Sequence, residues 1–286
     1  MTPKDLRESA AKHASDAQSS LDRGDFDKAA YDAGFCAELA LKARYCSRNA
    51  LLSLPTDKKN LKFHKLNTHD LNKLLQVSES VFIAQASMKD IDWKSISDWE
   101  NEDRYKITGQ TSEAVAKSRV EQTTLLIDEL IEHEVVEALE RSCRKILAQG
   151  IDIGLLTLTA SHNVAKKWVI QFSSLWLDDP VTRKERTNFL GNEFLSAIPV
   201  DLRPVIVLFE IFGREDDVPR AFYNLAMAND LGCNFVKDSI LIGANLPAFD
   251  FTGLFRVSGL LSNGIHVGRA YVLRLSTKAL FETQTK

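Results

Sequence analysis

The sequence predicts an α+β protein: an all-α antiparallel helical bundle over residues 1–149, followed by a smaller α/β domain with a mixed sheet over 150–286. Three observations carry that prediction. Up to Gly150 the apolar residues recur at three- and four-residue spacing between capping residues, the pattern of helices that bury one stripe. After Gly150 short runs rich in β-branched and large apolar side chains take over, the pattern of strands. Asn263-Gly264 then sits between two such runs, where it favours a tight hairpin.

The first helix opens at Thr2-Pro3-Lys4-Asp5, with a hydroxyl cap, a proline at the first helical position and a carboxylate at the third, and it runs to Gly24. Asp25 caps a second, longer helix through about Leu51, whose stripe is Phe26, Ala30, Ala33, Ala37, Leu41 and Tyr45. Pro55 closes that region, and residues 56–67 read as a polar, basic connection. A short helix follows around Thr68–Val77, and the stretch Val81–Glu102 reads as partly helical. Thr111 or Ser112 caps the last long helix, which carries Leu126, Ile127, Leu130, Ile131, Leu139 and Ile146 to about Ala148 and stops at Gly150. Long helices with short connections imply an antiparallel bundle.

In the second half Ile151–Thr159 and Trp168–Trp176 read as strands and 182–197 as a helix. Val205–Phe212 is nearly continuous in apolar residues, as expected of a strand covered on both faces. Asp217-Val218-Pro219 starts a helix that Gly232 stops, and Phe235–Ile242 reads as another strand. There is no internal repeat and no low-complexity tract.

Composition narrows the classes. With 44% hydrophobic and 26% charged residues over 286 positions, the chain can bury a real core. No apolar run approaches membrane-spanning length and the charged N-terminus lacks an export segment, so a soluble, cytoplasmic protein with no membrane association is expected. Cys36, Cys46, Cys143 and Cys233 are scattered and form no Cys-x-x-Cys pair, which points to buried thiols rather than a metal site or disulfides. The net charge is −3, and Lys/Arg against Asp/Glu stand at 22 to 25 in residues 1–150 and 14 to 14 in the remainder. Neither half is basic, which argues against a dedicated duplex-DNA binder but allows a local patch.

Four ordered segments share one resemblance. The run Ala33-Gly34-Phe35-Cys36-Ala37-Glu38-Leu39-Ala40-Leu41-Lys42-Ala43 follows the turn Gly24-Asp25-Phe26-Asp27-Lys28-Ala29-Ala30. Thr68-His69-Asp70-Leu71 comes next with Leu74-Leu75 behind it, and Trp99 then precedes Arg104-Tyr105. In this order they resemble the second helix, the His-Asp-Leu element and the aromatic-then-Arg-Tyr element of the HEPN family. The resemblance covers the first half alone; the second half resembles no family. Leu21–Ala29 is also similar to the turn of a tetratricopeptide unit, but such units stack in threes or more and one copy is present.

The resemblance implies a homodimer with a shared polar groove near Glu38, His69 and Arg104, the three candidate catalytic residues. It also implies binding of RNA or a nucleotide in a prokaryotic defence or toxin–antitoxin setting, with ribonuclease activity in some members. Those members carry an Arg separated from a His by four to six residues near the start of the last helix, where the imidazole moves a 2′-hydroxyl proton and the guanidinium steadies phosphate oxygens. Here that helix holds Arg119 and His133, fourteen apart. Arg7 and His13 have the right separation but lie on the first helix, where the plain reading is solvated surface. Plain readings stand beside the groove as well: Glu38 and Lys42 as an i,i+4 ion pair, and His69-Asp70 as a capped helix start.

A basic stretch, Lys42, Arg44, Arg48, Lys58, Lys59, Lys62, His64 and Lys65, has Tyr45 and Phe63 interleaved as stacking faces, and it reads either as a phosphate-binding surface or as a solvated loop. The second half lacks Gly-x-Gly-x-x-Gly, a phosphate loop and His-Glu-x-x-His. Asp152 only faintly echoes a nucleotidyltransferase, and Phe212 stands where a nuclease with Asp201 and Glu210 would need Lys. Asp178-Asp179, Glu215-Asp216-Asp217, His162 and His266 read as loop or strand residues, so no metal site is expected and no cofactor is indicated. The competing readings are a non-catalytic regulator, which docks a cognate partner protein with its bundle and senses a ligand with its α/β domain, and an enzyme whose chemistry lies around Asp216 and Asp217.

Overall fold

The chain begins helical because its first residues satisfy the free amides of a helix start. Thr2 accepts the Asp5 amide and Asp5 accepts the Thr2 amide, a reciprocal capping box, and Pro3 takes the first helical position. Helix α1 spans Pro3–Asp22 in the computed structural model, which describes residues 1–80, 91–105, 109–160, 166–212, 241–242, 246–247, 250–260 and 266–276. Gly24 turns the chain at φ 77°, a conformation side chains disfavour, and Asp25 caps helix α2 (Phe26–Arg48) by accepting the Lys28 amide. The two helices fold back on each other, Leu6, Ala10 and Ala17 of α1 meeting the small-residue face Ala29, Ala33, Cys36 and Ala37 of α2.

The remaining N-terminal elements are short until the last. They are α3 (Lys58–Phe63), α4 (Leu71–Val77), α5 (Trp93–Ser97), a 3₁₀ turn (Asn101–Tyr105) and the long helix α6 (Glu113–Ala148). The predicted loop over 56–67 therefore contains a helix. Asp57 caps it by accepting the Asn60 amide, and Leu61 anchors it to the core. Leu41, Leu66, Leu71, Leu74, Ile96, Trp99, Leu126 and Leu130 share that core. Helices α2, α3 and α4 each end on a non-glycine residue in the left-handed region (Ala50, Lys65 and Glu79), and the amide after each returns to a carbonyl five residues back. Helix α2 consequently stops at Arg48 rather than about Leu51. Ser112 caps α6 through the Val115 amide, and Gly150, at φ 80°, follows its end.

Two compact units divide the chain, Met1–Glu134 and Val135–Lys286. The division falls inside α6, while the expected 149/150 junction coincides with the end of that helix. Among the described residues no helix is long and apolar enough to cross a membrane.

The second unit adds β1 (Leu155–Ala160), β2 (Trp168–Ser173), a 3₁₀ turn (Leu175–Leu177), α7 (Arg183–Ala197), a 3₁₀ turn (Arg203–Val205) and β3 (Ile206–Ile211). Then come the short β4 (Leu241–Ile242) and β5 (Leu246–Pro247), and the long β6 (Asp250–Leu260) and β7 (His266–Ser276). Among the described residues five strands form one sheet in the order β3-β2-β1-β7-β6; β2 and β3 are parallel and the other pairs antiparallel, so the sheet is mixed and the protein α+β. Leu158, Ile170, Phe172, Leu190, Phe194 and Leu273 are buried, with the Phe172 and Phe194 rings edge-on at 5.5 Å.

One strand departs from its prediction. β3 lies at the sheet edge with Val207 44% and Leu208 49% exposed, not covered on both faces. An apolar run identifies a strand, but only sheet order decides whether it is central. β6 and β7 pair antiparallel, as their hairpin signal implies, while the Asn263-Gly264 turn itself lies outside the described residues. So do the helix expected over 217–232 and all but the last two residues of the strand expected over 235–242.

Candidate functional site

Helix α2 carries a carboxylate into the interior. Glu38 is 2% exposed between core residues Ala37 and Leu39. One turn later the Lys42 ammonium, also buried, donates to Glu38 Oε1 at 2.6 Å. The other oxygen, Oε2, lies 2.8 Å from Nδ1 of His69, whose side chain is 55% exposed. His69 is held there by the turn into α4, in which Thr68 accepts the Asp70 amide at 3.0 Å and Asp70 caps the helix by accepting the Lys73 amide at 3.1 Å. The i,i+4 pair, the capped start and the Glu38–His69 approach thus occur together. Arg104 belongs to the 3₁₀ turn Asn101–Tyr105, and its side chain lies outside the described residues. Among the described residues Lys42 is bonded to Glu38 as its cation.

The chemistry open to this cluster is limited and specific. With Nδ1–H donated to Glu38, the imidazole is fixed in one tautomer and keeps Nε2 to accept or release a proton. Glu38 and Lys42 neutralise each other in the interior, so removing either leaves a buried charge uncompensated.

The predicted basic stretch separates by burial. Arg44 is 1% exposed and donates to Ser80 Oγ at 2.9 Å, and Lys42 is committed to Glu38; neither belongs to an outer surface. Arg48 pairs with Glu79 at 2.6 Å. His64 is half-buried, its Nδ1 2.9 Å from the Tyr45 hydroxyl, and Tyr45 is itself buried and no stacking face. Lys58, Lys59, Lys62 and Lys65 are exposed, as is Phe63. Lys42 and Arg44 of helix α2 turn inward where the lysines of α3 face out, a distinction that counting charges along the chain misses.

Neither Arg/His pair forms a site. Arg7 donates to Glu134 and to Ser47, each at 3.1 Å, while His13 lies 3.6 Å from Asp32 and edge-on to Phe35 at 4.8 Å. Both lie at the packed side of α1 and not on the predicted solvated surface, with side chains 13% and 26% exposed. Arg119 and His133 are buried, and at about 1.5 Å per residue they lie about 21 Å apart along the helix. Arg119 donates from Nε to the Ser95 carbonyl at 2.9 Å and approaches Asp103 at 3.7 Å; burial pushes its pKa down, opposed by Asp103 and Asp98.

Two features had escaped the sequence reading. A cavity of about 300 Å³ opens beside Asp27, Tyr31, Asp98, Thr111 and Arg119. At its edge Asp27 accepts the Gly109 and Thr111 amides, which hold its carboxyl below the usual range. Partners so far apart leave no local signal. The indole of Trp99 lies against Gly34 so closely that a Cβ there would overlap the ring. A glycine within the helical pattern was the one available hint.

In the second unit Asp179 accepts the Val181 amide at 3.0 Å and the Thr182 hydroxyl at 2.7 Å, a turn leading into α7. Glu210 accepts from Gln171 at 2.7 Å across the sheet. Among the described residues no group of three or more His, Cys, Asp or Glu side chains is placed to hold a metal ion. Cys36, Cys46 and Cys143 are buried and form no disulfide, and burial raises the Cys36 thiol to about 12 and the Cys46 thiol to about 11. Residues 162, 215–217 and 233 and the His266 side chain lie outside the described residues. No family model matches this chain, and no match is found among curated proteins or solved structures.

Proposed function

We propose that the N-terminal unit is a HEPN-like helical bundle that binds RNA or a nucleotide, acting in a prokaryotic defence or toxin–antitoxin context as a homodimer. The observation that carries this reading is the 2.8 Å approach of His69 to the buried Glu38, which joins two of the family-like elements in one polar cluster. Exposed lysines of α3 add phosphate-binding charge within the same unit. Any cleavage runs through His69, because a carboxylate-oriented imidazole can take the 2′-hydroxyl proton through Nε2.

The test is fluorescence anisotropy of labelled RNA against the full chain at low and high salt. Binding that weakens as salt rises, and weakens again in His69→Ala, supports the reading. Absence of binding at low salt removes it. A second reading, a non-catalytic regulator that docks a protein, is favoured by the mutual neutralisation of Glu38 and Lys42, which leaves His69 as the accessible member of the cluster. Co-purification of a stoichiometric protein free of nucleic acid would select it.

A further inference from the structure

Helix α3 turns an aromatic ring and several ammonium groups toward solvent, and no ion pair among the described residues accounts for these cations. Leu61 packs against the core; at about 100° per residue, Lys59 and Phe63 fall within about 20° of the opposite direction. Phe63 is 77% exposed, an unusual place for a phenyl ring. Lys58, Lys59, Lys62 and Lys65 are exposed and have no ion-pair partner among the described residues.

The ring stands on a fixed base. The His64 imidazole meets it edge-on at 5.0 Å and 90°, and Tyr45 of α2 holds His64 through the 2.9 Å contact to Nδ1. A duplex hides its base faces, whereas an unpaired strand offers a base to stack and a phosphate on each side to neutralise. One short helix with one aromatic residue presents little apolar area to a lipid surface.

We infer that this face binds an unpaired RNA strand, with Phe63 stacked on a base and Lys59 and Lys62 on the flanking phosphates. The inference rests on the RNA-binding reading above and adds the strand state and the contact residues.

The experiment compares a short uridine-rich single strand with a blunt duplex of equal length, by anisotropy across a salt series, using the full chain. Phe63→Ala should bind the single strand roughly tenfold more weakly with an unchanged salt slope and an unchanged duplex affinity, since a stacked base is worth on the order of that factor. The ring is exposed, so the variant folds as the parent does. Phe63→Trp should retain affinity and gain an emission that the strand quenches. Lys59→Ala/Lys62→Ala should lower the single-strand salt slope by about 1.4, at about 0.7 per phosphate contact. If Phe63→Ala binds the single strand as tightly as the parent while the lysine variant weakens, stacking is overturned and RNA binding stands. If the parent binds neither RNA at low salt, the RNA reading fails and takes this inference with it. Phe63-dependent sedimentation with phosphatidylserine vesicles, without RNA binding, would assign the face to lipid instead.

Discussion

Gly34 leaves no room for a side chain, because the Trp99 indole occupies the space a Cβ would fill. Trp99 is 3% exposed and packs within the principal core, so the ring cannot swing aside freely. Gly34→Ala is therefore expected to destabilise the N-terminal unit by about 1–3 kcal/mol, the usual cost of overpacking, and to lower its urea midpoint. This happens despite alanine's better helix propensity, worth about 1 kcal/mol the other way; a more stable variant would disprove the packing. At this scale the sequence was partly legible. Glu38 and His69 sit in distinctive local patterns and do meet. Lys42 and Arg44 read as surface cations and are buried, because a residue's side of a helix matters only once the neighbouring helices are in place. The 36-residue separation of Arg44 from Ser80 gave no cue to their bond.

Among elements, the start of α6 depends on α2. The Asp27 carboxylate holds the Gly109 and Thr111 amides and so fixes the chain entering α6. Those hydrogen bonds lower the Asp27 pKa, with Gly109 the largest contributor. Their stabilisation is present above the unfolded value of about 3.9 and is lost as pH falls through the lower folded value. Asp27→Asn keeps one acceptor oxygen but no charge. It should cost about 1 kcal/mol at neutral pH, and the difference from the parent should shrink below about pH 4, as read from Tm by circular dichroism. A pH-independent difference would show that the charge is not what matters. Helix starts were legible because caps are local: Thr2, Asp25 and Ser112 all act as read. Helix α3 was not, since six residues leave too short a period to recognise.

For the whole molecule, a change of texture at Gly150 was enough to foresee an α+β chain with a mixed sheet. Strand order was not foreseeable, because pairing partners are chosen by contacts distant in sequence. Edge placement of β3 has a measurable consequence: Val207→Lys should alter stability by no more than about 0.5 kcal/mol, whereas Phe172→Ala in neighbouring β2 should cost about 3–5 kcal/mol. Equal losses in chemical denaturation would contradict the observed order. The same order bears on how the protein is made. β1 pairs on one side with β2, close behind it, and on the other with β7, about a hundred residues later. During synthesis the hairpin of β1 and β2 emerges early with both outer rows of backbone groups unmatched; β3 fills the row on β2, while the row on β1 must wait for β7. The nascent sheet is therefore a candidate client for chaperones throughout translation of its second half.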